Sequence, residues 1–208
     1  MFVKDAMTFG PVTVGPGTSL SQAIELMREK GFEVLPVVEN GDVKGIITAW
    51  DFLRMALHQD TVDPGQVTVC QVMSTKVMTV SADEIIEEAA FIMREHDVWA
   101  LPVVNEDNHL VGIITQSDMF RVMVDMMGLH SKGSRITLRV PDRQGVLAEI
   151  TQIVKQCGIS IASLSTYMPD QRHVGNVILR VKTIEPRELV QKLRAAGHWV
   201  THVSQVWE

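Results

Sequence analysis

Two segments, Gly45–Asp51 and Gly112–Asp118, share the pattern Gly-Ile-Ile-Thr-x-x-Asp. The apolar run reads as the end of a strand, and Thr-x-x-Asp then opens a helix. A helix start offers free N–H groups and a field that favours anionic ligands. A carboxylate fixed there can accept both hydroxyls of a ribose. It also repels phosphate, so the phosphates of such a ligand should point away from Asp51 and Asp118. Lys76, Arg54 and Arg121 are candidates to meet them. The same spacing describes a capping box, in which Thr and Asp only satisfy orphan backbone donors. Spacing alone leaves both readings open.

The elements that must position these residues are written twice. Met7-Thr8, Val12-Thr13-Val14, Met27-Arg28, Leu35-Pro36-Val37-Val38 and Arg54 return as Met73-Ser74, Met78-Thr79-Val80, Met93-Arg94, Leu101-Pro102-Val103-Val104 and Arg121. The offset is 66 residues, and 67 after the loop that follows Val38. Two similar half-domains that pack together leave a cleft as a natural ligand site. Leu20, Ala23, Ile24 and Met27 predict one face of a helix, and Ile86, Ala89, Ala90 and Met93 match them. Thr18 or Ser19 can cap the first helix, and Gly31 can end it. Asn40-Gly41 predicts a tight hairpin, and Glu106-Asp107-Asn108 a longer one. Each copy therefore reads strand–helix–strand–strand–helix. The copies span residues 1–60 and 66–127, with His58–Gly65 and Gly128–Ser134 as linkers.

The pattern changes over residues 135–208. Ile136, Leu138 and Val140 alternate as a strand, and Val146, Leu147, Ile150, Ile153 and Val154 form a helical stripe that stops at Gly158. Ile159–Tyr167 and Asn176–Val181 read as strands. Leu189, Val190 and Leu193 mark a helix between Pro186 and Gly197, and His198–Trp207 a last strand. The order β-α-β-β-α-β is the ferredoxin-like split unit. The fold class is thus α/β (α+β), two β-α-β-β-α repeats and then this unit.

Composition is that of an ordinary soluble chain, 46% hydrophobic and 21% charged. No apolar run suits a spanning helix and no secretion signal is evident, so no membrane association is expected. Cys70 and Cys157 lack metal-type spacing and an adjacent base, which predicts buried, inert thiols in a reduced, cytoplasmic setting. Net charge is −11 over residues 1–130 (8 Lys/Arg against 19 Asp/Glu) and +5 over 131–208 (11 against 6), summing to −6. The basic residues form no run, so nucleic acid is not the expected partner. His198 and His202 should share one face of a strand, and no metal site is expected from them. Met119, Met123, Met126 and Met127 predict core or repeat-to-repeat packing, with an adaptable dimer surface as the alternative. Trp50 and Trp99 sit beside predicted cleft segments, and Trp99 can stack on a base. No nucleophile–base pair, phosphate loop or paired acids emerge, so no enzyme and no catalytic cofactor are expected.

The duplicated T-V…LPVV…GIIT-x-x-D pattern resembles a pair of CBS domains over about residues 1–127. The resemblance implies a module that binds AMP, ADP, ATP or S-adenosylmethionine. It implies that Thr13, Val14, Thr79 and Val80 line the clefts, and that backbone at Leu35-Pro36 and Leu101-Pro102 meets the base. Thr48, Asp51, Thr115 and Asp118 would hold ribose and the nearby phosphate. Residues 135–208 resemble an ACT domain through the strand–loop–helix Pro141–Leu147. That implies an amino acid at a dimer interface, with Asp142, Gln144, Gly145, Val146 and Leu147 as contacts. A plain turn into a helix explains the same loop. The whole architecture resembles the acetoin utilization AcuB family of bacteria, whose role is regulatory. The expected protein is a homodimeric ligand sensor acting on an unknown downstream protein. The alternative is a constitutive interaction module with unoccupied clefts.

Overall fold

The computed structural model describes residues 1–58, 63–168 and 173–206. The centre of the first predicted linker (59–62) and Trp207 lie outside the described residues. The chain divides into two compact units, Met1–Phe120 and Arg121–Glu208.

In the first unit, a 3₁₀ turn Val3–Asp5 and β1 (Thr8–Phe9) lead into α1 (Leu20–Lys30), β2 (Val34–Glu39), β3 (Asp42–Thr48) and α2 (Ala49–His58). The second copy repeats the order with a 3₁₀ turn Val69–Gln71, β4 (Val80–Ser81), α3 (Ile86–Glu95), β5 (Ala100–Val104), β6 (Leu110–Thr115) and α4 (Gln116–Met126). Ser19 caps α1 in a reciprocal box with Gln22, and Gly31 closes it at φ +68°. Asn40 and Gly41 both take positive φ, 54° and 91°, as a two-residue hairpin turn demands. Leu20, Ala23, Met27, Leu35, Val37 and Ile47 are buried around Val14 and Val69. Ile86, Ala89 and Met93 are buried in the second copy, but Ala90 is exposed and Ile92 turns inward beside them.

The lead strands depart from expectation. Val12–Val14 contributes only an isolated parallel bridge, Val14 to Val37. The paired lead strand is Thr8–Phe9, and it joins the other copy, with Thr8 opposite Ile113 and Phe9 opposite Gly112. Ser74 returns the exchange by bridging Ile46. Each repeat thus lends backbone to its twin's hairpin, which explains why neither is expected to fold alone.

The second unit begins with the second half of α4 and continues as β7 (Gly133–Pro141), α5 (Val146–Gln156), β8 (Ile161–Tyr167), β9 (Val174–Val181), α6 (Arg187–Ala195) and β10 (Trp199–Val206). Its antiparallel sheet has the order β10-β7-β9-β8. Ile136, Leu138, Val140, Val177, Leu179 and Val181 point to one side and bury Ile150, Val154, Leu189 and Leu193 from the two helices. Ser134, assigned to the linker by sequence, belongs to β7, where its hydroxyl donates to Thr183 O at 2.7 Å.

Three expectations are corrected. His198 and His202 do not share a face, because the β7–β10 register shifts between Val200 and His202. His198 is buried and His202 exposed. Met123 and Met126 are 46% and 56% exposed, so core packing does not account for them. Cys70 is exposed and Cys157 half-buried; neither is the fully buried thiol expected.

Candidate functional site

In each copy the hairpin runs directly into its second helix, and this junction fixes the Thr-x-x-Asp geometry. Thr48 donates to Asp51 Oδ2 twice, from its backbone N–H at 2.8 Å and its hydroxyl at 2.7 Å. Thr115 donates to Asp118 Oδ2 in the same way, at 2.9 and 2.7 Å. In the second copy the Asp118 N–H also donates back to Thr115 Oγ1 at 3.3 Å, completing the capping box. Asp51 and Asp118 are 8% and 6% exposed, the only acidic side chains among the buried described residues. Buried carboxylates need partners, and these have them.

In the first copy Arg54 also donates to Asp51 Oδ1 at 2.8 Å, although its own side chain is 67% exposed. An ionised carboxylate has about four acceptor sites. Thr48 takes both on Oδ2 and Arg54 one on Oδ1, so a diol can be gripped through both hydroxyls only when Arg54 gives way. Each threonine hydroxyl is spent as a donor on its aspartate, which leaves it acceptor capacity only.

The remaining predicted residues gather by strand register. Val14 N–H donates to Pro36 O at 3.1 Å, and Val38 N–H to Val14 O at 2.9 Å. Thr48 lies opposite Val34, one residue before Leu35-Pro36. The copy-two equivalents follow the same plan, with Val80 beside Val103 and Thr115 opposite Ala100 next to Leu101-Pro102. Thr13 is exposed and Thr79 half-buried, while Val14, Leu35, Pro36, Val80, Leu101 and Pro102 are buried. Lys76 is exposed. A hollow of about 380 Å³ beside α2 is lined by Ile24, Met27, Phe32, Ala49 and Phe52, and neither Thr48 nor Asp51 reaches it. It is therefore distinct from the predicted cleft.

Sequence reasoning missed a contact between the copies. Trp50, on α2, and Trp99, just before β5, meet edge to face with centroids 6.4 Å apart, and both remain about half exposed. The equivalent positions are Ser117 and Glu33, so the pair breaks the internal symmetry. Tryptophan content was the available signal; the pairing was not visible in spacing.

In the second unit, Asp142, Gly145, Val146 and Leu147 line an open groove of about 490 Å³ with Arg143, Ala148, Thr166 and Met168. Gln144 is exposed and does not line it. Gly145 sits at φ +86°, a conformation that suits glycine at this helix entry. Arg143 grips Glu149 with two hydrogen bonds, 2.8 and 2.6 Å. Those bonds hold the Glu149 carboxyl below the usual carboxylate range and raise the guanidinium. Behind them the buried His198 Nε2 lies 4.0 Å from Glu149 and has no hydrogen-bond partner among the described residues. Neither Glu149 nor His198 follows from a motif, since six residues and a turn separate Arg143 from Glu149.

A duplicated strand–helix unit with exchanged lead strands, followed by a four-stranded ferredoxin-like sheet, defines a tandem-repeat module joined to a second, ferredoxin-like domain. The CBS-domain family model matches residues 3–58 and 69–125, and the TTHA0829-like ACT domain model matches residues 132–204. The chain belongs to the CBS-domain family and carries a C-terminal ACT domain. It is 35% identical over 135 residues to the CBS domain-containing protein YhcV of Bacillus subtilis, covering 65% of this chain and 92% of YhcV. It also matches homoserine O-acetyltransferase of Methanococcoides burtonii at 38% identity, over 58% of this chain but 24% of that protein. Among solved structures, the CBS domain pair of protein MJ0100, in complex with 5′-methylthioadenosine and S-adenosylmethionine, is 27% identical with TM-score 0.54, covering 59% of this chain and 95% of that one. CBSX2 in complex with AMP is 28% identical with TM-score 0.53, covering 59% and 96%. A Vibrio cholerae protein named as an acetoin utilization protein (AcuB) is 30% identical with TM-score 0.55, covering 62% and 95%.

Proposed function

We propose that this chain is a regulatory sensor of adenosine-type ligands, AMP, ADP, ATP or S-adenosylmethionine, held in the cleft of each repeat. The observation that carries the reading is the buried Thr–Asp pair in both copies, Thr48–Asp51 and Thr115–Asp118, each set where the hairpin enters its second helix. The bound relatives support the ligand class, since the MJ0100 pair holds S-adenosylmethionine and methylthioadenosine and CBSX2 holds AMP. Asp51 and Asp118 receive ribose hydroxyls, and the base lies against backbone at Leu35-Pro36 and Leu101-Pro102. An amino acid in the Arg143 groove is the corresponding proposal for the ACT domain. The role is cytoplasmic, regulatory and non-catalytic, with acetoin utilization as the candidate pathway. Regulation proceeds through a homodimer whose packing the ligand shifts by preferring one arrangement. Thermal melting against a nucleotide panel tests it: ligand at 100 times its dissociation constant adds about 2.7 kcal/mol. A panel without effect rejects it.

A constitutive interaction module is the second reading. It is favoured by the hydrogen bonding itself, because Thr48, Asp51 and Arg54 already satisfy one another without a ligand.

A further inference from the structure

The sheet of the second unit has a second face, turned away from α5 and α6, whose side chains the core does not use. Strand register lays them out in rows. One row runs Trp199, Arg139, Asn176, Tyr167 across all four strands. Trp199 and Tyr167, at its two ends, are 63% and 61% exposed. Three strand spacings separate them, about 14 Å. Arg139 lies over the Trp199 ring at 5.3 Å, giving a flat aromatic and guanidinium surface.

A parallel row places Arg135 directly opposite Arg180. Like charges opposite each other across strands are unfavourable. Partial burial and then Arg135 lower the Arg180 pKa, and among the described residues neither arginine forms an ion pair. The row between them carries His202, Thr137, Ile178 and Ser165. None of these strand positions bears a carboxylate, and residues 131–208 have a balance of +5 against −11 for residues 1–130. Arginines without carboxylates call for an anion, and exposed rings call for flat π-faces. An extended polyanion of bases supplies both.

We propose that this sheet face binds single-stranded nucleic acid, with bases stacked on Trp199 and Tyr167 and backbone phosphates at Arg135, Arg139 and Arg180. Stacking on aromatic platforms beside a cationic track is the general physics of such binding. A duplex keeps its bases inside and offers the rings nothing. Because the face is remote in sequence from the Thr–Asp pairs, this inference stands or falls independently of nucleotide sensing.

The full-length protein is titrated into a fluorescently labelled oligothymidylate of about twelve nucleotides and into a labelled duplex, at two or more salt concentrations. The single strand binds more tightly than the duplex and weakens with salt. Trp199→Ala loses about 5- to 100-fold, while Trp199→Phe keeps most of the affinity. Arg139→Ala flattens the salt dependence by about 0.7 in log–log slope. Tyr167→Ala serves as the same test at the other end should Trp199→Ala fail to fold. Absence of binding at low salt, or equal binding of duplex and single strand, overturns the proposal. So does a Trp199→Ala or Arg135→Ala variant whose subunit number by light scattering changes without oligonucleotide. That last result would assign the face to the acidic half of a second copy.

Discussion

Arg54 Nη2 lies 2.8 Å from Asp51 Oδ1, so in the first repeat the carboxylate proposed to receive a ribose is already held on its outer oxygen. The guanidinium must leave that oxygen before a diol is gripped through both hydroxyls, and a released Arg54 is then free to meet a phosphate. Binding of adenosine and of AMP should therefore respond in opposite directions to its loss. For Arg54→Ala, adenosine affinity rises by up to about fivefold, the scale of one exposed ion pair, while AMP affinity falls. Calorimetric titration of both ligands checks the split; a parallel change in both would leave Arg54 as a helix-surface residue only.

Gly45 and Gly112 each make room for the other repeat. A Cβ on Gly45 would collide with the Met73 sulfur and stand 3.0 Å from Ser74 O, and one on Gly112 would meet the Met7 sulfur at 2.6 Å and Thr8 O at 3.0 Å. Gly45→Ala and Gly112→Ala should each cost about 1–3 kcal/mol through overpacking. Because the carbonyls remain in place, Met73→Ala should recover only part of the Gly45→Ala loss. Denaturant melts of the single and double variants measure the coupling.

The Arg143–Glu149 pair has a defined pH signature. Its hydrogen bonds lower the folded pKa of Glu149, burial opposes this, and the charges of Arg143 and His198 add to the lowering. A carboxyl depressed on folding stabilises the protein above its unfolded pKa, about 4.3, and that stability is lost as pH falls through the lower folded value. The melting temperature of the wild type should therefore decline more steeply below that pH than that of Glu149→Gln. Both side chains are about half exposed, so the difference should shrink in high salt.

The Trp50–Trp99 contact offers a readout inside the first unit. If ligand occupies the adjoining strand ends, tryptophan emission changes on titration, and the change is diminished in Trp99→Phe and in Trp50→Phe. A wild-type emission that stays constant while calorimetry shows binding would place the ligand away from the pair.

Much of the fold was legible because periodicity and turn chemistry agreed. The Leu20–Met27 stripe, the Ser19 cap, the Gly31 terminus and the Asn40-Gly41 turn all appear where residue types put them. What escaped was set by contacts between distant segments. Gly45 and Gly112 read as part of a ligand motif, yet their glycine identity answers to a methionine from the other repeat. The β10 irregularity between Val200 and His202 reversed the face of one histidine, and no local residue pattern announces that shift. At the candidate site, the spacing of Thr and Asp identified the partners correctly. It did not reveal Arg54 on the carboxylate, or the bond by which Glu149 holds Arg143 of the groove wall.

The most direct test compares wild type with Asp51→Ala and Asp118→Ala by calorimetry with AMP and S-adenosylmethionine, each variant's stability being measured in parallel. Loss of a charge-assisted bond to ribose predicts a decrease of about 1.5–3 kcal/mol in affinity, or roughly 10- to 150-fold, in at least one variant. Removal of the helix cap costs on the order of 1 kcal/mol of stability in both. Unchanged affinity alongside that stability loss, or no heat from either ligand with the wild type, would contradict nucleotide binding through these aspartates.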